Sequence, residues 1–577
     1  MSYRGAPMPV LEPAAEPHAS AAIVAPPAAP AAAPRITPAE WLCLVAGALL
    51  CAIYAWILDD GYVYFKYVDN WVLLGRGLVY NPGEYAEGFT SPAWLLLLAG
   101  LRWLGLDYWL AVRAIALLAF VAFWIGAVAV GRRLAPDATP RWNLPLVLLC
   151  FSYPVLSYFS SGTESPLVQL AAVAYALCLL RPGWWPAEIA VGLSPLVRPE
   201  LALASFVVIA WLAWSRRRVP WVLVATGAAT SGGWLLFRAL YYADLFPTTY
   251  YLKAEANPAQ GWRYLHDTLA PYHLYGWLAL GGVGLFAVRR ARAEPDADSA
   301  ARLAMLAAAA SIALYVAWIG GDARHYRYLA FPVCLALLAF AGIAEHAVRR
   351  ARVSVSRASV AIAAAALALW TASLHPRQLD GAPLARMALP GPLRDVRARL
   401  FGRPDAGQAR IVDKIADAAM HRSHHPTLPA LSPWKRGDAI DLRAAYAGRA
   451  AAPPFRVNAA TICWDHYARF DEWSIHGFGL TDAVLARVRV PASPDDRPGH
   501  TMRLPALAQD LAAIVAWWGR PPAAGMYRAA VAAGVAAPWV GAHLDTLELL
   551  ERKLYGPRGA AESLALALRV RERIDLR

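Results

Sequence analysis

Two adjacent carboxylates, Asp59 and Asp60, stand where the first long apolar run of the chain ends. Such a pair at a membrane boundary is costly unless it is solvated or at work. It reads either as a solvated helix end or as a general base that takes a proton from a hydroxyl at the membrane surface. Neighbouring residues of one segment point in different directions, so only one Asp would face a reacting atom. The following stretch, GYVYFKYVDNWVLLGRGLVYNPGEYAEGFTSPAWLLLL over 61–98, is rich in aromatics. Tyr62, Tyr64, Phe65 and Tyr67 recur at roughly helical spacing, and Lys66 among them could pair with a carboxylate or a phosphate. Asn81, Pro82, Gly83 and Gly88 are turn formers, with Glu87 beside them. An amphipathic interfacial helix followed by a turn accounts for the same stretch without chemistry.

Later polar breaks repeat the pattern. Glu164 lies in the short turn SGTES, and Arg198, Pro199 and Glu200 interrupt an apolar stretch from 187 to 214. An Arg and a Glu placed there are expected to pair. Asp244, Pro247, Thr248, Tyr250, Tyr251 and Lys253 follow a later run, and Asp322, Arg324, His325, Tyr326 and Arg327 fall between two more. Lys253, Arg324 and Arg327 have the chemistry to anchor a phosphate or pyrophosphate. As solvated loop charges they would need no function. Near the C-terminus Asp471, Glu472, the run GLTD ending in Asp482, and RPGH ending in His500 stand out. GLTD before VLARV reads as a turn into a helix capped by Thr481 or Asp482. His421, His424 and His425 have no cysteine or paired acid beside them and read as a surface cluster. No metal site is expected from these residues, although a divalent cation on the outer face would be compatible with them.

The elements that must position these groups follow from composition. The 577 residues are 58% hydrophobic and 17% charged, with a mean hydropathy of +0.37 and a net charge of +14. A soluble domain carries about 25% charged residues, so this composition argues for a membrane protein and against a cytosolic nucleic-acid binder. Residues 1–36 form an Ala/Pro tract expected to be a disordered cytoplasmic tail. Candidate spans lie near 39–58, 109–131, 143–160, 165–181, 184–197, 200–214, 219–239, 273–289, 302–320, 327–347 and 355–374, which makes about 11 at the length a bilayer requires. The run 93–106 has only 14 residues and contains Arg102, so an interfacial helix suits it better. With the N-terminus in the cytoplasm, every cytoplasmic connection bears arginine: Arg132, Arg133 and Arg141; Arg181; Arg216 to Arg218; Arg289, Arg290, Arg292 and Arg302; and Arg349, Arg350, Arg352 and Arg357. The expected fold is an all-α polytopic membrane domain over 37–374, with a periplasmic loop at 59–108. A mixed α/β periplasmic domain over 375–577 follows, with helix-like stretches at 410–420, 504–518, 540–554 and 559–573 and strand-like runs around 455–463. Cys43, Cys51, Cys150, Cys178 and Cys334 sit in apolar runs and read as small buried hydrophobes.

The ordered set of motifs resembles a known family. LDDGYVYFKYVDNWVLLGRGLVYNPGEYAEGFTSPAWLLLL is similar to the first periplasmic loop of the AftB-type arabinofuranosyltransferase-like proteins of the GT-C superfamily of membrane glycosyltransferases. GTESPL at 162–167, VRPE at 197–200, YYADLFPTTYYLK at 241–253, GGDARHYRYLAFP at 320–332, GLTDAVLARV at 479–488 and RPGH at 497–500 continue the match in order. The resemblance implies an inverting glycosyltransferase with a polyprenyl-phosphate sugar donor, possible donors including an arabinofuranosyl one, and a periplasmic glycan, glycolipid or protein acceptor. It places the active site on the periplasmic side of the inner membrane. It implies Asp59 as base, Asp60 as the second member of the motif, and Lys253, Arg324 and Arg327 as holders of the lipid phosphate, with Arg198 beside them. Tyr64, Lys66, Glu87, Glu164, Glu200, Tyr250, Asp322 and His325 would line the site, with Asp482 and His500 contributed by the C-terminal domain. Two other classes compete: a flippase or transporter of a lipid-linked saccharide, and a non-enzymatic glycan-binding envelope protein. A transporter would want ionisable residues at mid-membrane and internal repeats, whereas these acids cluster at one boundary.

Overall fold

Where a chain is this apolar, its backbone hydrogen bonds are best met within each segment, and helix does that. The computed structural model describes residues 36–53, 57–135, 143–159, 161–215, 217–253, 256–270, 273–290, 297–322, 327–350, parts of 356–367, 455–458, 473–490, 503, 505–556, 558–569 and 573–575. In chain order the first helices are α1 (Pro38–Ile53), α2 (Asp59–Val68), α3 (Pro92–Trp103), α4 (Tyr108–Leu134), α5 (Leu144–Cys150), α6 (Tyr153–Phe159), α7 (Ser165–Leu180) and α8 (Trp185–Val197). They continue with α9 (Leu201–Ser215), α10 (Trp221–Tyr241), α11 (Thr248–Lys253), α12 (Pro258–Leu269), α13 (Leu274–Arg290), α14 (Ala297–Ile319), α15 (Ala330–Ala339) and α16 (Ile343–Arg350). The expected tail before Ile36, the three-histidine cluster, Asp471, Glu472 and the RPGH segment lie outside the described residues.

Among the described residues three stretches are long and apolar enough to cross a membrane: Leu110–Leu134, Ala297–Ile319 and Ala330–Val348. Shorter apolar helices occupy Pro38–Ala52, Ser165–Leu180, Leu201–Ser215 and Leu274–Ala287. The single span expected over 143–160 is instead two short helices, α5 and α6. Pro154 has no N–H to offer the turn before it, and the chain breaks at Phe151 and Ser152. The helices pack around a core that includes Phe120, Phe123, Tyr175, Met305, Ile312 and Leu335, and the five cysteines of the apolar runs are buried. At one end of this bundle Arg302 of α14 donates to the carbonyls of Leu134 and Ala339, which α4 and α15 leave unpaired as they finish.

Helix α3, expected to be interfacial, packs at the end of α2 through a buried ion pair. Arg102 Nε lies 2.9 Å from Asp69 Oδ1, and Tyr108 OH donates to the same oxygen at 2.7 Å. This explains an arginine inside an apolar run: it answers a carboxylate at the π-helical turn Asp69–Leu73 that ends α2. Phe65 of α2 stacks on Tyr108 with ring centroids 4.1 Å apart.

The C-terminal part has a two-stranded parallel sheet, β1 (Phe455–Asn458) beside β2 (Trp473–His476), with Phe455 opposite Trp473. Helices at Pro505–Trp518, Met526–Ala532, Leu544–Tyr555 and Ala560–Arg569 bury a core of their own around Leu511, Ile514, Leu547, Leu550 and Ile574. This part is seated on the loop between α2 and α3. Asn81 uses its side-chain amide as a substitute strand: Nδ2 donates to Ser474 O and Oδ1 accepts from Ser474 N, both at 2.9 Å. Tyr85 N donates to Leu554 O at 3.1 Å. Gly88 lies so close that an added Cβ would sit 3.0 Å from Leu480 O, tighter than most real contacts.

Glu84 is buried in this seam and accepts from Asn81 Nδ2 at 2.6 Å. Burial first, then the nearby Asp482 carboxylate, push its pKa up to about 8. A carboxyl whose folded pKa is raised contributes stability that is fully present below its ordinary value and is lost as pH rises through the folded one. The thermal midpoint of the protein in detergent is therefore expected to fall between about pH 4.5 and about pH 8 and to level off above that. Glu84→Gln should remove that slope; a slope unchanged in the variant would contradict the assignment.

Candidate active site

The site begins with the way α2 is laid down. Leu58 N donates to Ser161 O at 2.7 Å, which ties the residue before α2 to the turn ahead of α7. A Cβ on Gly61 would meet Gly162 O at 3.0 Å, and Gly162 itself has φ +76°. Trp94 Nε1 donates to Gly162 O at 3.0 Å, and hydroxyls of Ser161, Thr163 and Ser165 link along the turn at 2.8 and 3.0 Å. Asp59 and Asp60 are thus the first two residues of a helix resting on a rigid turn. Carboxylates are favoured at such a start by the unpaired N–H groups. The side chain of Asp59 lies outside the described residues.

Asp60 forms an ion pair with Arg327. The same guanidinium reaches Glu164 Oε1 at 3.6 Å and Asp322 Oδ2 at 3.9 Å. Glu164 is fully buried; its Oε1 also takes Arg198 Nη1 at 3.2 Å and its Oε2 accepts from Tyr64 OH at 3.3 Å. Arg198 Nε in turn lies 2.6 Å from Glu200 Oε1. Tyr328 closes the group. Its ring carries the Arg198 guanidinium at 4.1 Å and the Lys253 ammonium at 4.8 Å, and Lys253 Nζ donates to its hydroxyl.

These groups sit at helix ends. Asp60 opens α2, Glu164 precedes α7, Arg198 and Glu200 separate α8 from α9, Lys253 closes α11, and Asp322, Arg327 and Tyr328 join α14 to α15. Most of the cluster is buried, but Asp60 keeps 25% of its side chain exposed, so the group opens to its surroundings at α2. Arg198 and Arg327 are not free anchors, since both already answer carboxylates. Donor capacity nevertheless remains. Among the described residues the buried Arg327 Nε has no hydrogen-bond acceptor, and Lys253 has no carboxylate within ion-pair distance. Burial works against the Lys253 ammonium, yet Tyr328 and Asp322 hold its pKa above the ordinary lysine value. It therefore stays charged at neutral pH.

Other residues singled out in the sequence lie elsewhere. Lys66 points into the seam, 3.3 Å from Ser474 Oγ and 4.1 Å from the Tyr80 ring centroid. Glu87 is gripped by Arg238 of α10, with Nη2 3.1 Å from Oε1, and Trp234 Nε1 donates to it at 3.3 Å. Tyr250 stacks on Phe246. Asp482 Oδ1 accepts from Val484 N at 2.9 Å and Leu485 N at 2.8 Å, as a cap should, but the element it caps is one 3₁₀ turn rather than a longer helix. Arg324, His325 and His500 lie outside the described residues. Tyr328 was not singled out in the sequence; the signal was an aromatic directly after the last Arg of GGDARHYR. Among the described residues no three His, Cys, Asp or Glu converge as a metal site.

No family model and no solved structure matches the chain. Two relatives do. The chain is 29% identical over 346 residues to a terminal β-(1→2)-arabinofuranosyltransferase of Corynebacterium glutamicum, covering 51% of this chain and 49% of that protein. It is 32% identical over 361 residues to the protein of the same name from Mycobacterium tuberculosis, covering 52% of this chain and 55% of that one. The resemblance read from the motifs is thus shown, and the chain spans about half the length of the relatives it matches.

Glu164 holds the cluster together, because two arginines and a tyrosine converge on it. Removing its charge is expected to cost about 3–5 kcal/mol, as for other broken buried pairs. Removing only the Tyr64 hydroxyl should cost about 1 kcal/mol. Denaturant or heat unfolding of Glu164→Gln and Tyr64→Phe in detergent measures both; equal costs would contradict the central place given to Glu164.

Proposed function

We propose that the chain is a membrane glycosyltransferase that moves a sugar, arabinofuranose being the first candidate, from a polyprenyl-phosphate donor to a glycan, glycolipid or protein in the periplasm. The observation that carries this reading is the convergence of the Asp59–Asp60 helix start with Arg198, Lys253 and Arg327 at one end of the helical bundle. Similarity to two arabinofuranosyltransferases supports the reaction class.

In this reading Asp59 is the general base. Asp60 is committed to Arg327 and positions it. The acceptor hydroxyl loses its proton to Asp59 while its oxygen attacks the anomeric carbon. The bond from that carbon to the phosphate oxygen breaks on the opposite side, which inverts the centre, and the lipid phosphate leaves with the electron pair. Lys253 and the unused donor of Arg327 supply positive charge where that phosphate departs. Arg198 supports the same side through Tyr328.

The proposed topology has the N-terminus in the cytoplasm and the site on the periplasmic side of the inner membrane. The arrangement of helix ends supports it. The cluster occupies the start of α7, the end of α14 and the start of α15. Arginines occupy the opposite ends, with Arg181 after α7, Arg302 near the start of α14 and Arg350 closing α16. The positive-inside rule puts those arginine ends in the cytoplasm.

The test is release of polyprenyl phosphate from a panel of polyprenyl-phospho-sugars by purified protein with acceptor present. Asp59→Asn is expected to lower transfer by about 10²–10⁴-fold, the usual worth of a general base, while the unfolding midpoint stays in place. Wild-type activity in that variant would remove Asp59 from the mechanism.

A further inference from the structure

The lysine of the cluster is the last residue of α11, and α11 is only six residues long. So short a helix does not hold itself. Thr248 N and Oγ1 each lie 2.8 Å from Glu87 O, and Oγ1 lies 2.6 Å from Leu480 O. Apart from Tyr250 N on Pro247 O and Lys253 on Tyr328, the other polar restraints described on the helix come from the C-terminal part or through it. Tyr251 OH donates to Asp244 Oδ1 at 2.7 Å. Asp244 Oδ2 is held by Arg487 at 2.5 Å and by Lys553 at 2.7 Å. The Arg487 guanidinium lies 3.9 Å from the centre of the Tyr251 ring, so hydroxyl and ring face are gripped by one group of charges. The helix then ends on arginines. Tyr251 O accepts from Arg573 Nη2 at 3.0 Å, and Leu252 O accepts from Arg503 Nη2 at 3.2 Å. Carbonyls of a last turn have no partner within their own helix, and cations there are doubly favoured. The next group along the chain is the Lys253 ammonium on Tyr328.

From this geometry we infer that the C-terminal domain sets the position of Lys253 at the candidate active site, with Tyr251, Arg487, Arg503 and Arg573 as positioning residues. The inference rests on the proposed function only in giving Lys253 a phosphate to meet. The grip on α11 involves residues from 480 to 573, so the domain acts on the site as a folded whole. It gives the C-terminal domain a physical reason to reach a helix end beside the membrane-domain cluster.

The chain has five lysines, Lys66, Lys253, Lys414, Lys435 and Lys553, so labelling can be read residue by residue. Reductive methylation of the full-length protein in detergent, followed by peptide mass spectrometry, reports the accessibility of each amine. Tyr251→Phe keeps the ring and removes the hydroxyl that bonds Asp244; the Arg503→Gln, Arg573→Gln double variant removes the carbonyl caps. Each is expected to speed Lys253 methylation by at least about fivefold, the worth of one net hydrogen bond, with Lys66 unchanged. Arg528→Gln, which removes an exposed pair with Glu548 in the same domain, should leave Lys253 as in wild type. An unchanged Lys253 rate in the first two variants, or Lys66 and Lys253 rising together, would overturn the inference. Labelling needs no turnover, so a positive labelling shift beside a failed transfer assay would remove the glycosyltransferase reading and leave this one standing.

Discussion

The buried ion network on Glu164 is the constraint on which the rest depends. A carboxylate with no solvent cannot persist without partners, and Glu164 takes them from three other segments: Arg198, Arg327 and Tyr64. Tyr64 lies within α2, Arg198 between α8 and α9, and Arg327 just before α15, so Glu164 ties these helices to the start of α7. Asp60 joins through Arg327 and Lys253 through Tyr328, so a local electrostatic requirement assembles a group of acids and cations at one rim of an apolar bundle. Such a network costs desolvation and is weak evidence of stability for its own sake. Its value lies in holding charged groups in defined positions in a place where water would otherwise compete.

The same logic accounts for the seam with the C-terminal part. Polar groups leaving the bundle are answered one by one: Asn81 by the Ser474 backbone, Asp244 by Arg487 and Lys553, the end of α11 by Arg503 and Arg573. The loop between α2 and α3 therefore has its own polar groups on one side and a second apolar core on the other. The domain and the site are mechanically continuous through α11.

Much of this was legible in the sequence because charges are expensive in apolar surroundings. Asp60, Glu164, Arg198, Glu200, Asp322 and Arg327 stood out as breaks in hydrophobic runs, and they meet in space. Lys66 and Glu87 stood out for the same reason but answer structural partners. Glu87 pairs with Arg238, 151 residues away, and no local pattern marks that pairing. Tyr328 was hidden by the abundance of aromatics; its role comes from the cations stacked on it. Among the described residues the helices follow most of the apolar runs, except where Pro154 divides one of them and a turn at 340–342 divides the run 327–347 into α15 and α16; the run 355–374 is described only in parts. The seat of the C-terminal part was illegible, since Asn81 imitating a strand leaves no periodicity to read.

The central claim is that the cations of this cluster receive a lipid phosphate, and the most direct test is binding of polyprenyl phosphate to the purified protein by native mass spectrometry. Wild type should bind in a saturable manner, and Lys253→Gln combined with Arg327→Gln should weaken binding by about 10–100-fold, the worth of losing charge-assisted hydrogen bonds. Undiminished binding in that variant, with the protein still folded, would contradict the account.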